Sequence, residues 1–79
     1  MEKICRVLYR HGDLADWIAF EVYRRKESPR NDCYEAYWTS PLNEVLFYES
    51  DKQLDTLHQK LAACVEQLGY NFFFREHQN

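Results

Sequence analysis

The sequence predicts an α+β fold: a four- to five-stranded antiparallel sheet with one amphipathic helix packed on one face. Three observations lead to this prediction. Short segments with alternating apolar and polar residues, rich in aromatic side chains, fill most of the first half of the chain. Their connections are short, which favours antiparallel pairing of successive strands. A later segment carries apolar residues at helical spacing. The order is ββββα, with room for a C-terminal strand, in a single domain over residues 1–79.

The strands are predicted from the alternation of side chains. Four segments show it: residues 3–10, 17–25, 33–39 and 44–48. In the second segment Ile18, Phe20 and Val22 form an apolar face that we expect to lie under the helix. A polar hairpin loop is expected at 26–32, and Pro41 stands at the favoured second position of a turn over 40–43.

One helix is predicted over residues 51–68. Ser50 is the expected N-cap, and Gln53, three residues later, completes a capping-box pattern. Gly69 is expected to end the helix in the left-handed conformation. Residues 71–76 can add a fifth strand, and residues 77–79 are expected to fray. The stripe facing the sheet is predicted to contain Leu54, Leu57, Leu61, Cys64, Val65 and Leu68.

Charge and cysteine content limit the classes of function. The formal net charge is −3, divided into +2 over residues 1–30 and −5 over residues 31–79. An acidic chain is poorly suited to non-specific nucleic-acid binding, which depends on neutralising phosphates. Cys5, Cys33 and Cys64 are too few and too far apart for a disulfide framework or a zinc motif. We therefore expect free thiols in a soluble cytoplasmic protein, with no metal, no cofactor and no membrane segment.

The aromatic residues predict a binding surface. Six Tyr, five Phe and two Trp are more than one helix can cover, so the second sheet face should keep aromatic side chains, among them Trp17, Tyr23 and Tyr37. Charged residues interleave with them on that face: Glu21 and Glu35, with Arg6 and Arg10 if the register permits. We interpret the chain as a non-catalytic interaction, adaptor or inhibitor-type protein that docks a protein partner or a second copy, forming a homodimer. Alternatively, the Tyr and Arg side chains satisfy one another across strands.

The basic hairpin over 24–30 supports an alternative function. Cations beside Tyr23 and Tyr37 could hold single-stranded nucleic acid, with phosphates on the cations and bases stacked on the rings. Glu27 and Asp32 in the same loop, and the absence of a known RNA-binding motif, weigh against it. The cations of this hairpin are Arg24, Arg25, Lys26 and Arg30.

A third alternative is a shallow acid–base site at His11, Asp13 and Asp16. Nothing in the sequence positions a substrate there, and the chain has no phosphate-binding loop, dinucleotide fingerprint, metalloprotease helix or nucleophile elbow. A chain of this length also has little room for a deep pocket. We therefore predict no catalytic residues.

Overall fold

Alternating segments and short turns produce one continuous antiparallel sheet. The computed structural model describes residues 1–77, and within them the predicted α+β order with a C-terminal strand is confirmed. The strand order across the sheet is β4-β3-β2-β1-β5. The elements are β1 (Glu2–His11), β2 (Trp17–Ser28), β3 (Asn31–Thr39), β4 (Val45–Asp51), α1 (Leu54–Glu66) and β5 (Tyr70–His77).

The core lies between α1 and one sheet face. The register pairs Val7 with Phe20, and Val22 with Ala36, so apolar side chains from three strands meet under the helix. The predicted face of β2 is confirmed, since its three apolar residues are almost fully buried. Most of the predicted helix stripe is also in place. The buried core residues are Cys5, Val7, Tyr9, Ile18, Phe20, Val22, Ala36, Leu57, Leu61 and Val65.

Both ends of the predicted helix need correction. Ser50 is not an N-cap, because β4 continues through it and pairs Ser50 with Glu35. The carboxylate of Asp51 instead accepts a hydrogen bond from the backbone N–H of Gln53 (2.9 Å), just before α1 begins. At the other end α1 stops at Glu66, so Leu68 lies in the following turn and is 58% exposed rather than part of the core stripe.

Gly69 ends the helical region as predicted, with φ of 91°. Its carbonyl accepts a hydrogen bond from the N–H of Gly12 (3.1 Å), which ties the β1–β2 loop to the start of β5. The imidazole of His11 lies so close to Gly69 that a Cβ there would sit 2.6 Å from Nε2. Glycine is thus required at this position by both backbone conformation and space.

Every strand differs from its predicted range at one end or both. The predicted loop at 26–32 is mostly strand, because β2 and β3 pair up to Ser28 and Asn31 and leave only Pro29 and Arg30 as the turn. His77 is the last residue of β5 rather than a frayed terminus, while the predicted fraying of 78–79 falls outside the described residues. The turn with Pro41 is confirmed by a hydrogen bond from the Asn43 N–H to the Ser40 carbonyl (2.9 Å).

A bulge in β5 determines which face its phenylalanines occupy. Phe74 pairs with Leu8 and Phe72 pairs with Tyr9, so Phe73 is an extra residue between them. Phe72 therefore faces α1, while both Phe73 and Phe74 face the other side of the sheet. This places two adjacent aromatic side chains on the face away from the helix.

Candidate functional site

The sheet face opposite α1, hereafter the open face, is the candidate site. In the register of the strands it carries Trp17, Tyr23 and Tyr37 together, as the sequence predicted. No element of residues 1–77 packs over it, because the single helix lies on the other side. The same face also receives Arg6, Leu8 and Arg10 from β1, Glu21 from β2, Glu35 from β3, Tyr48 from β4, and Phe73 and Phe74 from β5.

One end of the open face is apolar and exposed. The rings of Trp17 and Phe73 meet edge to face with centroids 4.8 Å apart, although β1 lies between their two strands. Trp17 is 45% exposed, Phe73 56% and Phe74 49%, so this end, hereafter the apolar end, presents aromatic surface to solvent. The guanidinium carbon of Arg10 lies 5.6 Å from the Trp17 ring centroid, within range of a cation–π contact. Arg10 makes no salt bridge to any residue in 1–77.

The other end is a row of tyrosines above a buried carboxylate. Ring centroids of Tyr23 and Tyr37 are 5.8 Å apart, and those of Tyr37 and Tyr48 are 5.0 Å apart. Beneath them Glu35 is 3% exposed; it accepts a hydrogen bond from the Tyr37 hydroxyl (2.8 Å) and pairs with Arg25 (3.0 Å). Desolvation and this carboxylate raise the pKa of Tyr37 to about 12. The Tyr37 hydroxyl and Arg25 thus both bind the Glu35 carboxylate, and the only cross-strand pair among these three groups is that between Arg25 and Glu35.

Charges between the two ends are also paired within the chain. Glu21 contacts Lys3 at 2.6 Å and Arg6 at 2.7 Å. Arg6 lies 3.9 Å from Glu76 on the far strand. This part of the open face is therefore internally neutralised, and the exposed apolar end is the surface best suited to a partner.

The structure separates the predicted basic site. Arg24 and Arg25 are successive strand residues and point to opposite faces. Arg24 pairs with Glu2 at one edge, whereas Arg25 pairs with Glu35 and, at 3.3 Å, with Glu27. Arg30 is exposed in the two-residue turn. This separation could have been predicted from the sequence, because neighbouring side chains in the predicted strand 17–25 must point to opposite sheet faces. Phosphates would have to compete with three carboxylates, which makes nucleic-acid binding the weaker alternative.

The loop that suggested an acid–base site is held by structural hydrogen bonds. Nδ1 of His11 accepts hydrogen bonds from the backbone N–H groups of Asp13 and Leu14, each at 3.0 Å. The Tyr70 hydroxyl donates to the carboxylate of Asp16, and this bond lowers the pKa of Asp16 and raises that of Tyr70. The bond between Tyr70 and Asp16 thus joins the loop to β5, and His11 holds the backbone of the loop itself. The arrangement provides a brace for the loop rather than a poised acid and base.

Across residues 1–77 no group of three or more His, Cys, Asp or Glu side chains is placed to hold a metal ion. The three cysteines are free, and burial raises the pKa of the Cys5 thiol. The helix in this range is too short and too polar to cross a lipid bilayer.

Sequence reasoning missed Tyr48, Phe73 and Phe74 as members of the open face. Tyr48 could have been found from the sequence. It is the last residue of the predicted strand 44–48, which must pair with β3, and its side chain points to the face opposite that of Phe47. The two phenylalanines could not be assigned, since three consecutive Phe residues give no alternation and the bulge at Phe73 depends on pairing with β1.

Comparisons of the chain with protein-family models, with curated proteins and with solved structures found no match. Function is therefore inferred from the geometry of the open face.

Proposed function

We propose that this chain is a non-catalytic interaction protein, of the adaptor or inhibitor type, that binds a protein partner through the apolar end of its open face. The observation that carries the proposal is the exposure of Trp17, Phe73 and Phe74 on a sheet face that no element of residues 1–77 covers. Large rigid aromatic side chains beside an arginine are the residues that most often anchor protein interfaces.

The chemistry of the apolar end specifies the partner. Apolar side chains of the partner would pack on the Trp17–Phe73 pair, and a carboxylate at its rim would reach Arg10. The tyrosine row, in which the Tyr37 hydroxyl is already bonded to Glu35, would border this contact with little rearrangement. Such a partner is a protein surface with an apolar centre and an acidic edge. The same proposal places the protein in the cytoplasm, supported by its three free cysteines.

The test uses site-specific photo-crosslinking in cells that express the protein. A photoreactive phenylalanine analogue replaces Phe73, and in a matched control it replaces Lys52, which is exposed beside the helix. We expect one protein species to crosslink from position 73 and not from position 52. With that species purified, Trp17→Ser should raise the dissociation constant by about 30-fold, because loss of an anchoring aromatic side chain removes about 2 kcal/mol of binding free energy.

Two outcomes would contradict the proposal. One is equal crosslinking from positions 52 and 73. The other is an affinity that Trp17→Ser leaves unchanged while circular dichroism shows an intact fold. A crosslink to a second copy of the chain, sensitive to the same variant, would identify the partner as the protein itself.

A further inference from the structure

The outer edge of β5 is open and apolar on both sides. β5 is an edge strand that pairs with β1 on one side only, and no backbone segment of residues 1–77 pairs with its other side. Phe72, which faces α1, is 61% exposed, while Phe73 and Phe74 expose about half of their surface on the opposite side. A strand of this kind is a template for the addition of another strand.

A groove between α1 and the sheet runs beside this edge. Its volume is about 310 Å³. The Tyr9 and Phe72 rings meet edge to face at its base, with centroids 6.1 Å apart. Nε2 of His58 is buried here without a hydrogen-bond partner among the described residues, and burial lowers the pKa of this imidazole. The groove is lined by Val7, Tyr9, His58, Gln59, Ala62 and Phe72.

Charges of opposite sign stand at the two ends of the groove. Arg75 lies at the end near the start of α1, where its charge further lowers the pKa of His58. Glu66 is the last residue of α1 and lies at the other end, where, together with burial, it raises the pKa of Tyr9 to about 12. Neither Arg75 nor Glu66 forms a salt bridge within residues 1–77.

We propose that two copies of this chain form a two-fold dimer in which their β5 strands pair antiparallel and join the two sheets. A two-fold axis between Phe73 and Phe74 reverses one strand against the other and pairs residues of the same sheet face, Phe72 with Arg75 among them. This brings Arg75 of each copy towards Glu66 of its partner. Phe72 of each copy then packs over the groove of the other, at the centre of the contact. Charge complementarity selects this occupant and this direction, because a two-fold axis along parallel strands would put the two helices on opposite faces of the joined sheet and keep Arg75 of one copy away from Glu66 of the other.

The other edge of the sheet is less suited to strand addition. Along β4, Nζ of Lys60 donates to the Ser50 carbonyl (3.1 Å) and lies 3.0 Å from the Asp51 carboxylate. Lys60 extends from α1 onto the end of this strand, and a lysine charge at an edge opposes edge-to-edge pairing. The dimer is therefore assigned to β5.

The experiment measures molecular mass by sedimentation equilibrium over a wide range of concentration. We expect the wild-type chain to change from monomer to dimer as concentration rises. Glu66→Arg and Arg75→Glu should each weaken the dimer by about 10-fold, since the axis repeats every pair twice and each change replaces attraction with repulsion. The double variant Glu66→Arg/Arg75→Glu should restore the dimer. Glu44→Arg, the same charge change on a loop far from β5, should leave it unaltered.

Three results would overturn this assignment. They are a wild-type chain that stays monomeric at every concentration, a double variant that dimerises as weakly as the single variants, and a dimer that neither Glu66→Arg nor Arg75→Glu weakens. If such an insensitive dimer is lost in Trp17→Ser, self-association belongs to the open face. Position 73 lies near the proposed two-fold axis, so the β5 dimer predicts a crosslink from it to a second copy of the chain, and Glu66→Arg or Arg75→Glu should abolish that crosslink. Because Glu66 and Arg75 are exposed and lie away from the open face, a crosslink to a different protein should persist in both variants, and it tests the open face separately.

Discussion

At the scale of single residues, the most constrained group on the open face is Glu35. This carboxylate lies within a β-sheet at 3% exposure and is compensated by Arg25 and the hydroxyl of Tyr37. A buried charge persists only with such partners. The rings above it are consequently fixed in place, which gives the open face a rigid half beside the exposed aromatic pair.

The tyrosines provide a prediction about pH. Burial is the main cause that raises the pKa of both Tyr9 and Tyr37 from the ordinary value of about 10 to about 12. The folded state keeps these protons where the unfolded chain loses them, so their contribution to stability is complete below about pH 10 and is lost as pH rises towards 12. We expect the free energy of unfolding to fall across this interval, and to fall less in Tyr37→Phe.

Ultraviolet absorbance of tyrosinate and urea unfolding at several pH values measure these two quantities. The chain in denaturant serves as the control, where every tyrosine should titrate at its ordinary pKa. A folded protein whose tyrosines all ionise near pH 10 would contradict the assignment.

At the scale of elements, the passage from α1 into β5 decides how the sheet is completed. Gly69 reverses the chain after the helix, and its carbonyl is bonded to Gly12. His11 packs against this turn while its own Nδ1 is held by two backbone N–H groups. The ring has little freedom to move aside, so the turn and the β1–β2 loop form one unit.

Gly69→Ala is expected to destabilise the protein by about 2 kcal/mol. About 1 kcal/mol comes from the left-handed backbone, and the remainder comes from displacing the His11 ring. Gly12→Ala is the matched control, because a Cβ at Gly12 meets nothing within 4 Å; its effect should stay within about 0.5 kcal/mol. Thermal and urea unfolding compare the two. Equal losses in both variants would show that the close approach of His11 has no energetic consequence.

At the scale of the whole molecule, one helix on a five-stranded sheet makes a small core, so the free energy of unfolding is small. A domain of this length has a total stability near the low end of about 5–15 kcal/mol. Every large buried side chain on α1 therefore contributes strongly to stability, and the uncovered sheet face adds little to the core. The exposed apolar surface of the open face and of β5 is consistent with a protein that gains stability by association.

Leu61→Ala should cost about 3 kcal/mol, which is a large part of the total stability, because Leu61 is fully buried. Leu68→Ala makes the same chemical change at a residue 58% exposed, and should cost less than about 1 kcal/mol. The midpoint of urea unfolding measures the difference. Similar midpoints for the two variants would mean that Leu68 is covered in solution.

The local pattern of side chains was sufficient to predict the strands, the helix, the buried face of β2 and the glycine after α1, because alternation, helical spacing and backbone preference act between near neighbours. It also predicted that Trp17, Tyr23 and Tyr37 share a face. The placement of β5 beside β1, the bulge at Phe73 and the partners of Glu35 arise only in the folded chain. These features depend on pairing between segments far apart in sequence, and local periodicity carries no information about which strands become neighbours.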